Sequence, residues 1–116
     1  MVRFAFVAPL LALGLMAAPL EARGHPTIGS DAGACDANDG PAIRATITGL
    51  KDRTGRLKLE LYPATATDFL RDDRDLIKEG KVFRRVWVET PAAGPVEICI
   101  RVPHAGAYGL FFTHDR

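Results

Sequence analysis

The sequence predicts an all-β protein: an antiparallel β-sandwich with a short helical insertion, preceded by a signal peptide. Three observations lead to this prediction. Apolar and polar residues alternate in several short runs, which is typical of half-buried strands. Eleven glycines and eight prolines among 116 residues provide many turns. The chain is long enough for one domain only, and antiparallel strands with one apolar face need a second layer to cover that face.

The first 22 residues have the three parts of a secretory signal peptide. Arg3 is the only charged residue before Glu21, and the residues between them are almost all apolar. Small residues follow, so we expect cleavage after Ala22. The apolar run is interrupted by prolines and is shorter than the roughly 20 residues of a spanning helix, which disfavours a permanent anchor. The mature protein is therefore expected to be periplasmic or secreted.

Residues 23–41 show no apolar period and are expected to form an irregular leader before a β-sandwich domain at residues 42–116. Cys35 in the leader and Cys99 in a later strand are the two cysteines of the chain. In an oxidising compartment such a pair forms a disulfide by default. Cys99 alternates with aliphatic neighbours, so it is expected on the opposite face of its strand, and the leader would have to cover that face or its edge.

Five strands are expected in the domain. Alternation predicts strands over residues 42–48 and 56–62, and the glycine-bearing loop between them predicts an antiparallel hairpin. Further strands are predicted over residues 81–89, 96–102 and 107–114, separated by proline-bearing turns.

The pattern breaks over residues 63–80, where charged residues separate two apolar pairs. We expect one or two short helical turns there, capped by Asp72 or Asp73 and ended at Gly80. The aspartates of this stretch could suggest calcium, but the interspersed arginines favour a solvated face that neutralises its own charge. The three histidines lack the spacing of metal ligands. No metal and no cofactor is expected.

No catalytic site is expected. The His114-Asp115 pair suggests a small envelope hydrolase, but Ser30, the only serine, lies in the leader rather than in a strained Gly-x-Ser-x-Gly turn. The formal net charge of +1 excludes the strongly basic face that nucleic-acid binding requires. An enzyme is therefore not expected, and the hydrolase is kept as the second of two alternatives.

Trp87 and Phe83 share one face of their predicted strand with Arg85. Exposed aromatic rings stack on sugars, so this face is a candidate carbohydrate-binding platform. A tryptophan is also a common core anchor, and valines on the other face leave open which face of the strand is buried. Both interpretations stand at this point.

Three stretches, taken in order, resemble the bacterial domain-of-unknown-function 2141 family. The segment from Ile47-Thr-Gly-Leu-Lys to Leu61-Tyr62 resembles its opening hairpin, and Phe69-Leu with Gly80-Lys81 resembles its insertion. Pro103-x-x-Gly-x-Tyr108, ending in His114-Asp115, resembles its final motif block. The resemblance covers residues 43–116 and implies a small exported β-sandwich of the immunoglobulin or prealbumin type, with no established activity.

In that family the His-Asp pair usually continues into a loop rich in Asp, Asn and Gly and then into further strands, whereas this sequence ends at Arg116. We therefore expect a domain shortened at its C-terminus, whose last strand is apolar on both faces. Such a domain is expected either to be marginally stable or to dimerise through the last strand. The function expected is a non-enzymatic structural or binding role in the bacterial envelope, toward an envelope partner or glycan. A carbohydrate-binding module using Trp87 and Phe83 is the first alternative. No stable membrane insertion is expected after signal cleavage.

Overall fold

The computed structural model describes residues 26–116, which contain six strands and two short helices. In chain order these are β1 (Thr27–Ile28), α1 (Ala32–Asp36), β2 (Ala42–Ile47), β3 (Arg56–Pro63), α2 (Asp73–Lys78), β4 (Arg84–Glu89), β5 (Val96–Arg101) and β6 (Tyr108–Asp115). The predicted all-β character is confirmed, since strands make up most of the regular structure. The predicted signal peptide, residues 1–22, lies outside the described residues.

The six strands form two three-stranded sheets. In the first sheet β5 is central, with β1 parallel to it on one side and β2 antiparallel on the other. In the second sheet β3 is central, with β4 and β6 antiparallel to it. We refer to them below as the β5 sheet and the β3 sheet.

The predicted hairpin between β2 and β3 is wrong, because the two strands belong to different sheets. Their alternation indicates which side chains face the core, and it carries no information about which strand lies alongside. The connection over residues 48–55 is also longer than the roughly two to five residues of typical hairpin loops. A loop of this length carries the chain from one sheet to the other.

The hydrophobic core draws side chains from the inner faces of both sheets. Its buried members are aliphatic and come from the two central strands, from β4 and from the residue after β5: Leu57, Leu59, Leu61, Val86, Val88, Val96, Ile98, Ile100 and Val102. On β4 the valines face inward, so strand alternation directs Trp87 outward. The structure thereby settles the question that the sequence left open for this strand.

The leader is more ordered than its composition predicts, because β1 and α1 both lie within it. A two-residue strand has no period that a sequence could reveal, and β1 exists through its pairing with β5. Gly29 follows β1 with a φ of 101°, and a Cβ atom there would lie 2.9 Å from a methyl carbon of Val86. A glycine is needed at this point for both its conformation and its size.

The short helix in the insertion is confirmed. Asp72 is the N-cap of α2, and its carboxylate accepts a hydrogen bond from the backbone N–H of Arg74 at 2.8 Å. Gly80 follows the helix with a φ of 74°, the left-handed conformation that commonly ends helices.

Candidate functional site

The outer face of the β5 sheet is covered by the leader. Cys35 in α1 and Cys99 in β5 lie at disulfide distance, as predicted, with their Cα atoms 6.1 Å apart. Cys99 is fully buried although it points away from the core, because α1 lies over it. The expectation that the leader covers the Cys99 side is therefore met.

A second tether holds the leader at Asp31, which is only 2% exposed. Its carboxylate accepts hydrogen bonds from Nε and Nη2 of Arg84, both at 2.5 Å, and from the backbone N–H of Arg101 at 2.9 Å. The Arg84 hydrogen bonds are the main reason that the pKa of Asp31 is lowered. Because Arg84 begins β4 and Arg101 ends β5, Asp31 connects the leader to both sheets. No motif in the sequence pointed to this cluster.

The outer face of the β3 sheet is different, and it carries both residues of the predicted platform. Strand register places its side chains in three cross-strand rows, each read from β4 through β3 to β6: Glu89–Arg56–Asp115, Trp87–Lys58–Thr113 and Arg85–Glu60–Phe111. We call this surface the Trp87 face. It combines two large apolar side chains with three cations and three carboxylates.

Trp87 is 38% exposed and lies beside two cationic side chains. The guanidinium carbon of Arg56 is 4.2 Å from the indole ring centroid, and Nζ of Lys58 is 5.3 Å from it. These are distances at which a cation is attracted to the electron-rich face of an aromatic ring. Arg56 and Lys58 could not be predicted from the sequence as part of this surface, because their proximity to Trp87 depends on the pairing of β3 with β4.

Glu60, in an end row of the Trp87 face, is buried, with 3% exposure. Its carboxylate accepts a hydrogen bond from the Tyr62 hydroxyl at 2.9 Å and one from Nε of Arg85 at 2.6 Å. Burial, together with the hydrogen bond to Glu60, raises the pKa of Tyr62 to about 12. The network satisfies the buried charge and fixes the neighbouring side chains in place.

Phe83 is less exposed than Trp87, because its ring packs against other side chains. Its ring meets the Tyr62 ring edge to face at 5.3 Å, and the guanidinium carbon of Arg85 lies 5.0 Å from its centroid. Phe69 of the insertion packs on Tyr62 in the same way at 5.4 Å. The structure thus places Trp87 and Phe83 on the same side of the β3 sheet, with Trp87 as the more open ring.

The residues of the His114-Asp115 pair point to opposite faces of β6. Asp115 lies in the outer row beside Arg56, whereas His114 lines a cleft of about 560 Å³ between the two sheets. Nε2 of His114 donates to the Thr54 carbonyl at 2.7 Å and lies 3.9 Å from Asp52. A hydrogen bond from Arg116 is the main cause that lowers the pKa of Asp52. The hydrolase alternative had His114 and Asp115 acting together, and the structure does not bring them together.

The aspartates of the insertion are engaged by neighbouring cations. Asp68 pairs with Arg71 at 2.8 Å and with Lys81 at 3.0 Å, and Asp72 pairs with Arg74 at 2.8 Å. Within residues 26–116 there is no group of three or more His, Cys, Asp or Glu residues that could hold a metal ion. Over the same residues, neither helix has the length and apolar character needed to cross a membrane.

The comparison with known families identifies the domain. The sequence model of DUF2141, described as an uncharacterized protein conserved in bacteria, matches residues 45–116. The chain belongs to the DUF2141 family. This confirms the resemblance that the motifs indicated, and the matched region includes the whole Trp87 face but not the leader with Asp31 and Cys35. No curated protein and no solved structure matches the chain.

Proposed function

We propose that this DUF2141 protein is a non-enzymatic, carbohydrate-binding β-sandwich of the immunoglobulin or prealbumin type, exported to the bacterial envelope. Its binding surface is the Trp87 face. The observation that carries the proposal is a single tryptophan, 38% exposed, on the outer face of a sheet whose core is complete without it.

The surroundings of Trp87 support a binding role. The indole lies on a regular strand, and the neighbouring Glu60–Tyr62–Arg85 network is buried and hydrogen-bonded. Such rigidity lowers the entropy cost of holding a ligand. The same surface presents donors on Arg56 and Lys58 and acceptors on Glu89 and Asp115 beside the ring. Sugar hydroxyl groups can use both kinds of partner.

Binding can be measured on the native protein because Trp87 is the only tryptophan in the chain. We expect one or more soluble polysaccharides from a panel of dextran, xylan, laminarin and polygalacturonate to change its fluorescence and to retard the protein in affinity gels. Trp87→Ala should abolish the retardation, and Trp87→Phe should retain part of it. Ile77→Ala removes another exposed apolar side chain, in α2, and should have no effect. Equal retardation of Trp87→Ala and the native protein would refute the proposal.

Export is supported by the signal-like N-terminus and by the Cys35–Cys99 pair at disulfide distance. Mass spectrometry of protein from the periplasm or culture medium should give an N-terminus at or near Arg23. An intact N-terminus in the native host would contradict export by signal cleavage.

Self-association through β6 is a separate part of the proposal. Within residues 26–116, β6 pairs only with β3, and its inner-face residues Leu110 and Phe112 are less buried than Leu59 and Leu61 on β3. Pairing with β6 of a second copy would extend the β3 sheet and satisfy the backbone groups of that edge. Sedimentation velocity should show a dimer that forms with rising protein concentration. A monomer at every concentration would contradict this part alone.

A further inference from the structure

We propose that the cleft at one end of the two sheets is a binding site for a small organic anion that carries a carboxylate or phosphate group on an apolar body. The cleft borders Phe83 but none of the residues in the three rows of the Trp87 face. The cleft has a volume of about 710 Å³. This lies within the range of roughly 300–1,000 Å³ that is typical of small-molecule sites. It forms where the start of β4, the end of β5 and the turn before β6 meet.

The charges that line the cleft all have one sign. Lys81, Arg84 and Arg101 contribute cationic side chains to its wall, and His104 and Tyr108 add groups that form hydrogen bonds. No carboxylate among the described residues lines it. The Trp87 face, in contrast, carries cations and carboxylates in equal number. Each of the three cations is paired with a carboxylate that lies outside the lining: Lys81 with Asp68, Arg84 with Asp31 and Arg101 with Asp39. An anion is therefore the ligand that the cleft favours, because the cationic members of these pairs border the cleft and the carboxylates do not.

Arg84 is held so that part of its guanidinium remains available. Its Nε and Nη2 atoms are engaged by Asp31, whereas Nη1 makes no hydrogen bond to any described residue. Arg84 also stands opposite the buried Leu61 across the β3–β4 ladder, so it belongs to the inward-facing row at the open end of the core. An inward-facing arginine fixed by a buried carboxylate is a preorganised donor for an oxyanion.

The turn before β6 supplies the other side of the cleft. The Tyr108 hydroxyl donates to the His104 carbonyl at 2.6 Å, which closes the turn on itself. Nε2 of the His104 ring has no partner among the described residues, and the ring borders the cleft. The apolar part of the wall includes Leu61, Val82, Phe83 and Val102. These side chains would contact the apolar body of the ligand while its anionic group reaches the cations.

The test uses nuclear magnetic resonance titrations of the native protein with benzoate and benzyl phosphate as anionic probes and benzamide as a neutral probe. We expect both anions to shift the backbone amides of residues 81–84 and 101–108. Benzamide should bind at least about tenfold more weakly, the factor expected for losing a charge-assisted hydrogen bond. Inorganic phosphate, which lacks an apolar body, should bind more weakly than benzyl phosphate. Equal affinity for benzoate and benzamide, or shifts confined to other residues, would overturn the proposal.

Two variants test the cations without removing the Asp31 tether. Arg84→Lys keeps a positive charge for Asp31 but lacks the Nη1 donor. Lys81→Gln removes one charge from the wall, and its partner Asp68 keeps the ion pair with Arg71. Each should weaken benzoate binding by about threefold or more, since each removes one charged partner. The matched control is Lys78→Gln, which removes an exposed charge from α2 outside the cleft. Unchanged benzoate binding in both cleft variants would refute the site.

The site is independent of the carbohydrate proposal, and one variant separates the two. Trp87→Ala should leave benzoate binding unchanged, because Trp87 does not line the cleft. If polysaccharide binding fails while benzoate binding persists, only the role of the Trp87 face is refuted. If benzoate binding fails while polysaccharide binding persists, only the cleft is refuted.

Discussion

The outer faces of the two sheets differ in how far they are covered by other parts of the chain. On the β5 sheet the outer face is covered by the leader. The leader is held there by the disulfide between Cys35 and Cys99 and by the buried hydrogen bonds of Asp31. On the β3 sheet the insertion covers the outer face only at the end where Phe69 packs on Tyr62, and the rest of that face exposes Trp87 and Phe111. The covered outer face contributes to stability, and the exposed outer face is the one to which we assign the proposed binding role. Changes on the outer face of the β5 sheet should lower the free energy of unfolding, whereas changes on the outer face of the β3 sheet should mainly affect binding.

The largest effect is expected from removing the disulfide on the covered face. Cys35→Ala with Cys99→Ala should lower the free energy of unfolding by about 4 kcal/mol, because the unfolded chain regains the entropy of a loop closed across 64 positions. Urea unfolding followed by circular dichroism measures the change. Adding reductant to the native protein should reproduce it. A loss below about 1 kcal/mol would show that the leader is held chiefly by other contacts and would weaken the contrast between the faces.

Asp31 should have the second-largest effect. Asp31→Asn should lower the free energy of unfolding by about 2 kcal/mol at pH 7, since Arg84 and the Arg101 amide lose a charged acceptor in a buried position. The partly exposed Arg84 can recover some hydration, which keeps the loss below that of a fully buried pair. Asp39→Asn, at an exposed partner of Arg101, is the matched control and should change stability by less than about 0.5 kcal/mol.

The Asp31 effect should also depend on pH with a defined sign. Because the folded state lowers the pKa of Asp31 below its ordinary value of 3.8, the stability it contributes is present above that pH. That contribution is lost as the pH falls through the lowered pKa of the folded state. The difference between the native protein and Asp31→Asn should therefore narrow below about pH 4. A difference that stays constant down to pH 3 would mean that the charge of Asp31 contributes nothing.

These elements also mark how far the sequence could predict the fold. Period-two alternation identified β2 to β6 closely, because each strand buries one face, and Asp72 and Gly80 marked the ends of the insertion helix. Alternation could not assign partners, so the predicted β2–β3 hairpin was wrong. The Asp31 cluster was missed because residues 53 and 70 positions away in the sequence complete it.

The candidate sites were less predictable than the fold for the same reason. Trp87 could be singled out by its residue type, but its exposure depended on which face of β4 is buried. Arg56 and Lys58 became part of the same surface only through the register of β3 with β4. The proposed anion-binding cleft is lined by residues from three separate segments, 61–64, 80–84 and 101–108. No local sequence motif therefore predicts it.

A smaller effect on stability is expected at Trp87 itself. Trp87→Ala should lower the free energy of unfolding by about 1 kcal/mol, because the ring is partly exposed and its main neighbours are the side chains of Arg56 and Lys58. The same urea unfolding assay applies, with circular dichroism as the signal because the variant lacks tryptophan. A loss as large as that of the disulfide variant would show that the Trp87 face is structural, and the contrast between the two faces would fail.

The smallest expected effect is a gain in stability at Thr113, next to Lys58 on the Trp87 face. The Oγ1 atom of Thr113 is buried and has no hydrogen-bond partner among the described residues. Valine has the same branched shape and a similar preference for strands, so Thr113→Val removes the unsatisfied hydroxyl at little other cost. We expect the free energy of unfolding to rise by about 0.5 kcal/mol, measured by urea unfolding.

Thr46→Val on β2 is the control, because the exposed Thr46 hydroxyl is hydrated in the folded state and should give no gain. A gain in the free energy of unfolding for Thr113→Val but not for Thr46→Val would show that the exposed face contains an unsatisfied hydroxyl. Such a group is tolerated there because the packing of this face does not hold the two sheets together. A loss of stability in Thr113→Val would mean instead that the Thr113 hydroxyl has a hydrogen-bond partner in solution, for example an ordered water. The buried polar groups of this face would then be satisfied as fully as those of the covered face.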